Sequence, residues 1–300
     1  MKRCFKALCL LSLAFLASCK KDDDTSIAPP RDYTEQYATE KVEIEEYLHT
    51  HYIVSVDENF TVEIDSITAD NPQTSIWDQT EYPLQTKLVT LNDVEYTLYY
   101  LVLNEGGNEM PTRYDRVKVA YRGWRMDDYQ FDYSPYPDQF LFLPVMIEGW
   151  QEIIPLFKTG FYNDTPGDPN PASFTDFGAG VMFLPSDFGY YDSSQVGIPS
   201  YSPLVFSFKL YDMQQDDSDN DGIPTYLEVG PDSIDVYDYD SDGDGTPNFQ
   251  DADDDGDGIS TRIEITIPGT DDELYDFENI PVCEDSGEPI YLDPTCFPEQ

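Results

Sequence analysis

The chain has 300 residues, 60 of them acidic against 16 basic, for a formal charge of −44. That balance argues against nucleic acid as a partner, because phosphate binding needs basic surface, and favours calcium or other hard cations instead. The length suffices for one large domain or two modest ones.

Lys2, Arg3 and Lys6 precede an apolar run from Ala7 to Ala17. The run is shorter than the roughly 20 residues that span a bilayer. A basic start, a short apolar core and small residues at its end form the pattern of a secretory signal. Leu16-Ala17-Ser18-Cys19 resembles the lipobox of bacterial lipoproteins. The resemblance implies a signal peptide over residues 1–18 and a lipidated Cys19, with acyl chains such as palmitate holding the mature chain to a membrane. A plain signal peptide or a chance apolar start is the alternative. Lys20-Lys21-Asp22-Asp23-Asp24 reads equally as a solvated tether or as a short charged signal for the outer face of the outer membrane. The expectation is an outer-membrane lipoprotein, on the periplasmic side or at the cell surface, with a tether over 19–32. No second stretch is apolar enough to cross a membrane.

Residues 33–91 read as a helix followed by β-structure. Tyr37, Ile44, Leu48 and His51 share one stripe at helical spacing between Tyr33 and His51. Phe60-Thr-Val-Glu-Ile and the stronger run from Val94 to Leu103 are rich in aromatic and β-branched residues, as strands are. His49 and His51 are expected to face solvent, with a metal site on the pair as the weaker alternative.

Residues 92–213 carry the apolar weight. Val117 to Tyr121, Phe140 to Leu143, Val181 to Leu184 and Leu204 to Leu210 read as strands. Trp150, Ile153, Ile154 and Phe157 recur at 3, 4 and 7, as on a short amphipathic helix. These elements predict an α+β domain in which the helix covers a sheet.

In order, Val117-Lys-Val-Ala-Tyr121-Arg-Gly123, Phe131-Asp132-Tyr133-Ser134, Val145 to Trp150, Pro185 to Tyr190, Gly197-Ile198-Pro199 and Leu204-Val205-Phe206 resemble the FKBP-type peptidyl-prolyl isomerases. The resemblance implies an antiparallel sheet wrapped on the short helix, preceded by the N-terminal helical and β extension, with Trp150 as the floor of a proline pocket. Tyr121, Phe131, Phe142, Met146, Ile147, Ile198 and Phe206 are its implied walls, with Phe140 as the alternative to Phe142. The Ile147 N–H and the Tyr190 hydroxyl are the implied carbonyl donors, and Asp132 the one buried polar group. The sequence departs from the family over Phe161 to Gly180, an inserted Gly/Pro/Asn/Asp-rich stretch that could shield the pocket.

Past Met213 the composition changes, with no Lys or Arg from Asp216 to Asp257. Residues 214–300 form an acidic C-terminal region. Asp217, Asp219, Asp221 and Glu228 stand at positions 1, 3, 5 and 12 of a calcium loop, with Gly222 at the sharp turn. Asp240, Asp242, Asp244 and Asp251 repeat the pattern with Gly245, and Asp253, Asp255, Asp257 and Glu264 with Gly258. Pro224 and Pro247 rule out flanking helices of the usual kind. The run resembles thrombospondin type 3 repeats, which implies an extended segment built around structural calcium. A disordered acidic spacer is the alternative. Cys283 and Cys296, an even pair in an oxidising compartment, predict a disulfide, with unpaired thiols the alternative.

The expected protein is a monomeric, membrane-anchored isomerase and folding helper. It acts on proline-containing exported polypeptides and needs no cofactor for catalysis. The rival is a non-catalytic surface module that binds protein or glycan and has a calcium-stiffened tail.

Overall fold

The structure, a computed structural model, describes residues 29–164, 172–231 and 235–296. The expected signal peptide, Cys19 and the charged run Lys20–Asp24 lie outside the described residues, as does the centre of the 161–180 insertion. Arg31–Gln300 form one compact unit. Among the described residues, no helix is long and apolar enough to cross a membrane.

Helix α1 (Tyr33–Thr50) starts where the Asp32 carboxylate accepts the Glu35 N–H at 3.1 Å, an N-cap that satisfies one of the otherwise free donors of the first turn. Arg31 already belongs to the fold: its guanidinium lies 4.2 Å over the Tyr201 ring and donates to Gln36 Oε1 at 2.7 Å. The expected tether therefore ends short of residue 32. Ile44, Tyr47 and Leu48 are buried along the helix. The chain then forms a hairpin of β1 (His51–Val56) and β2 (Val62–Ser66). His51 does not face solvent. It is buried, stacks on Tyr47 at 3.7 Å and lies 3.4 Å from Asp128, because it begins a strand folded back onto the helix. His49 stacks on Trp77.

Next come β3 (Gln85–Leu91), β4 (Val94–Asn104), β5 (Arg116–Arg125), β6 (Gln130–Ser134) and the two-residue β7 (Leu141–Phe142). After helix α2 (Glu148–Ile153) follow β8 (Phe161–Asn163), β9 (Ser173–Thr175), β10 (Gly178–Leu184) and β11 (Leu204–Gln214). The main antiparallel sheet runs β3-β4-β10-β11-β5-β6, with β7 also on β5. The expected boundary at residue 92 cuts a hairpin in two. Asn92 and Asp93 both have positive φ, 50° and 60°, the two-residue turn that matches strand twist, so β3 is the sheet's edge and not part of an extension.

Both faces of this sheet are covered, which explains the near-continuous apolar run of β4. Tyr96 and Leu98 join Val119, Trp150, Ile153, Phe157 and Phe208 on the α2 side. Tyr99, Leu101 and Leu103 join Ile44, Tyr47, Leu48, Phe183 and Val205 on the α1 side. The N-terminal segment is thus the second layer of the domain. It is tied in by a 3.0 Å hydrogen bond from the buried Trp124 Nε1 to Tyr47 Oη. Helix α2 stays short because Pro155 lacks an N–H, and a 3-10 turn over Ile154–Leu156 replaces its last turn.

β8 and β9 pair as a hairpin at the root of the insertion, with residues 165–171 outside the described part. The Phe174 and Phe177 rings pack at a tilt against Tyr211 of β11, at 5.4 and 4.6 Å.

The C-terminal region is not an extended run. Ile223, Ile265 and Tyr291 form a small buried core with Leu227, Leu274, Ile280 and Leu292 around it. A disulfide joins Cys283 to Cys296. Asp216 docks the region on β5: its N–H donates to Asp115 Oδ1 at 3.1 Å, and its carboxylate accepts from Arg116 Nε at 2.9 Å.

Candidate functional site

A cavity of about 530 Å³ opens on the α2 side of the sheet. Tyr121 and Phe206 come from β5 and β11, Phe131 and Asp132 from β6, and Met146, Ile147 and Trp150 from the start of α2. Tyr190, Gln195, Val196 and Ile198 come from the loops between β10 and β11. The backbone permits this because β5 and β11 pair with Gly123 opposite Phe206. An ideal Cβ at Gly123 would lie 2.7 Å from both the Phe131 and Phe206 rings. Helix α2 approaches as closely at Gly149, where a Cβ would meet Leu184 at 2.3 Å.

The aromatic rings brace one another edge to face. Trp150 lies 5.6 Å from Phe206 and 5.0 Å from Tyr121, and Phe131 lies 5.5 Å from Phe206. Such pairs hold ring orientation as well as burying area. Trp150 Nε1 is buried without an acceptor, as the floor of an apolar chamber leaves it.

Nine of the ten predicted pocket residues line this cavity. Phe142 does not. On β7 the side chains alternate, so Leu141 faces the cavity while Phe142 lies under the Arg116 guanidinium at 4.5 Å. Phe140, the alternative, sits beneath Lys118 at 4.7 Å. Leu141, Val145, Gln195 and Val196 also line the cavity and were not singled out from sequence. A consistent alternation along β7 was the one available signal, and only for Leu141. No described residue of the 161–180 insertion lines the cavity.

Asp132 is exposed at the rim, not buried. Its carboxylate accepts the Tyr121 hydroxyl at 2.7 Å and the Tyr133 N–H at 2.8 Å. Burial, and then this hydrogen bond to a carboxylate, push the Tyr121 hydroxyl well above its ordinary range, so it stays protonated and committed as a donor to Asp132. Burial and the Asp132 charge raise Tyr190 too. Among the described residues, neither the Tyr190 hydroxyl nor the Ile147 N–H at the N-cap of α2 is engaged by another protein group. The site therefore presents two free donors above an apolar floor. It holds no nucleophile paired with a base.

The three acidic loops have one geometry. The carboxylate at position 1 accepts the N–H of the glycine at position 6: Asp217 from Gly222 at 3.2 Å, Asp240 from Gly245 at 3.0 Å, Asp253 from Gly258 at 3.0 Å. Those glycines have φ of +106°, +100° and +92°, which an L side chain rarely adopts. In each loop a polar side chain at position 9, Thr225, Asn248 or Thr261, accepts the N–H of position 2. The carboxylates at 1, 3 and 5 converge within 4.8 Å in every loop. Asp217 Oδ1, Asp219 Oδ2, Asp253 Oδ1, Asp255 Oδ2, Asp257 Oδ2 and both oxygens of Glu264 are buried with no hydrogen-bond partner. Burial and the neighbouring carboxylates raise Asp255 to about 6 and Glu264 to about 8. Oxygen-only shells of this kind suit a hard divalent cation. Asp251, at position 12 of the second loop, accepts the Asp253 N–H at 3.0 Å.

Antiparallel sheet, crossing helix and aromatic cavity define an α+β domain with an apolar binding chamber. Comparison with known proteins gives particular relatives. Over 125 residues the chain is 30% identical to the FKBP-type 22 kDa peptidyl-prolyl cis-trans isomerase of Escherichia coli (strain K12), covering 41% of this chain and 53% of that protein. The chain thus spans about half the length of this curated relative. Among solved structures it is similar to a peptidyl-prolyl cis-trans isomerase from Pseudomonas syringae pv. tomato str. DC3000, at 18% identity and a TM-score of 0.36 over 62% of this chain and 99% of that one. It is also similar to FkpA from Escherichia coli, at 26% identity and a TM-score of 0.32 over 42% and 51% of the two chains. A family model described as BamM C-terminal matches residues 231–289, which take in the second and third acidic loops but not the first.

Proposed function

We propose that this chain is a peptidyl-prolyl cis-trans isomerase whose acidic C-terminal region is a calcium-ordered scaffold. The observation that carries the catalytic reading is the cavity itself. Its floor is Trp150, its walls are aromatic, and two unengaged donors stand at its edge.

Rotation about a peptide bond faces a barrier of about 18–20 kcal/mol, set by partial double-bond character. At X-Pro bonds both isomers are populated and exchange over tens to hundreds of seconds. The proline ring sits on Trp150 between Tyr121, Phe131 and Phe206. The Ile147 N–H and the Tyr190 hydroxyl hold substrate carbonyls on either side of the twisting bond. The apolar chamber disfavours the planar, charge-separated amide relative to the twisted one. Asp132 acts through Tyr121: its carboxylate fixes the phenol against the ring stack and keeps that wall in place.

Substrates in this reading are proline-containing exported polypeptides, reached from a membrane to which Cys19 tethers the chain by lipid. The three loops bind calcium to order the C-terminal region and take no part in bond rotation.

A protease-coupled assay on a proline tetrapeptide, run with the mature chain, tests the reading. Catalysis by the wild type, and its loss in Trp150→Ala with the fold retained by circular dichroism, is the expected result. Uncatalysed isomerisation rates with the wild type would leave a binding module in place of an enzyme.

A further inference from the structure

We propose a fourth cation site in the C-terminal region, formed between the first and third acidic loops by Asp221, Glu228 and Asp254, which takes a calcium ion and clamps the two loops together. The inference rests on the calcium reading of the loops and goes past it: Asp221 and Glu228, positions 5 and 12 of the first loop, bridge that loop's ion and this one, and Asp254 stands at position 2 of the third loop. The loop pattern assigns ligands to positions 1, 3, 5 and 12.

Asp221, Glu228 and Asp254 are 1%, 3% and 2% exposed. One ligand oxygen from each lies within 4.8 Å of the other two. Both oxygens of Glu228, both of Asp254 and Oδ2 of Asp221 have no hydrogen-bond partner. Three carboxylates cannot share a dry pocket as anions without a cation between them. Oxygens on opposite sides of a calcium ion, held at about 2.3–2.6 Å from it, are about 5 Å apart, which matches the observed convergence. Carboxylate oxygens and no nitrogen or sulfur in the group select a hard cation.

The site is built and not a chance meeting of side chains. Asp221 is held by the Ile223 N–H, which donates to its Oδ1 at 2.7 Å and leaves Oδ2 free. The Asp254 backbone is pinned where its N–H donates to Thr261 Oγ1 at 3.1 Å. Ile223, at position 7 of the first loop, and Ile265, just past the third, share the buried core that brings the loops side by side. An ion here bridges residues 33 positions apart in sequence (Asp221 to Asp254) and makes ordering of the two loops one cooperative event.

The test is a calorimetric titration of the chelator-stripped mature chain with calcium chloride, alongside Asp254→Asn and, as a control in the second loop, Asp240→Ala, which removes the position-1 ligand. The wild type is expected to take up four equivalents and each variant three. Three equivalents for the wild type overturn the cross-loop site and leave the loop reading standing, and no uptake overturns both. Four equivalents for Asp254→Asn with unchanged affinities overturn the assignment to Asp254. Thermal unfolding separates a ligand from a merely buried acid. In chelator Asp254→Asn should melt at or above the wild type, because it relieves the crowding of three buried carboxyl groups, whereas in calcium it should melt below it. An equal calcium-induced rise in both proteins would overturn the site.

Discussion

Replacing Gly123 by alanine tests the packing on which the cavity depends. The added Cβ would stand 2.7 Å from Cε2 and Cζ of Phe131 and from Cε1 of Phe206. Carbon atoms rest at about 3.5–4.0 Å, so the rings must give way by about 1 Å. Phe206 cannot retreat, since Trp150 and Tyr121 lie behind it at 5.6 and 6.2 Å. Phe131, half-buried on the edge strand β6, is the ring that moves, and it moves at the cavity wall. Overpacking of this kind costs about 1–3 kcal/mol. For a body of this size that is a fall of about 2–4 °C in melting temperature per kcal/mol. If about 1–2 kcal/mol of it is felt in the transition state, kcat/KM for a proline tetrapeptide falls about 5–30-fold. Calorimetry and the protease-coupled assay read the two effects separately. An alanine variant with wild-type melting and wild-type kcat/KM would refute the close approach of the rings and the wall built on it.

Leu141→Ala should lower kcat/KM several-fold while Phe142→Ala leaves it within about twofold, because only Leu141 faces the cavity; the opposite ranking would reverse the assignment of β7. Asp132→Asn should keep the melting temperature within about 2 °C, since the residue is exposed, yet reduce kcat/KM by loosening Tyr121, and an unchanged rate would remove Asp132 from the site. Tyr47→Phe deprives the buried Trp124 Nε1 of its acceptor and should cost about 1–3 kcal/mol in denaturant unfolding; no loss would mean that α1 is not integral to the domain. Burial, then neighbouring carboxylates, raise Glu228 to about 10, Asp254 to about 9 and Glu264 to about 8. A raised folded pKa means that the folded state holds protons the unfolded chain has released, so stability is full below about pH 4 and falls as pH climbs toward 8–10. In chelator the C-terminal region should therefore melt lower at pH 8 than at pH 5. Calcium should reverse the trend and release protons on binding, seen as a buffer-dependent calorimetric enthalpy. A higher melting temperature at pH 8 in chelator would contradict the assigned burial.

Much of the site was legible because its parts are local. A loop such as Asp217 to Glu228 carries its carboxylates, its turn glycine and its position-9 acceptor within twelve residues, so spacing alone declares the geometry. The run from Tyr121 to Gly123 and the segment from Val145 to Trp150 keep their order for the same reason. Where structure and expectation differ, the deciding contact is distant or depends on register. Phe142 and Leu141 differ by one position on a two-residue strand, and a one-residue slip exchanges inside for outside. Asp132 was expected to be buried, but it sits on edge strand β6, where only its partner Tyr121 reaches inward.

By itself the sequence determined the α+β class, the three loops and the cysteine pair, because alternation, turn chemistry and ligand spacing act within a few residues of chain, while most of the pocket came through the ordered motifs that resemble the FKBP-type isomerases. Only the tertiary structure decided that the N-terminal helix forms the second layer of the sheet. The Tyr47–Trp124 bond and the core around Ile44 and Phe183 join residues far apart in sequence, and no local pattern encodes such pairings. The same holds for Asp254. Its place beside Asp221 and Glu228 arises from two loops folding onto one small core, a juxtaposition that burial enforces and sequence spacing does not reveal.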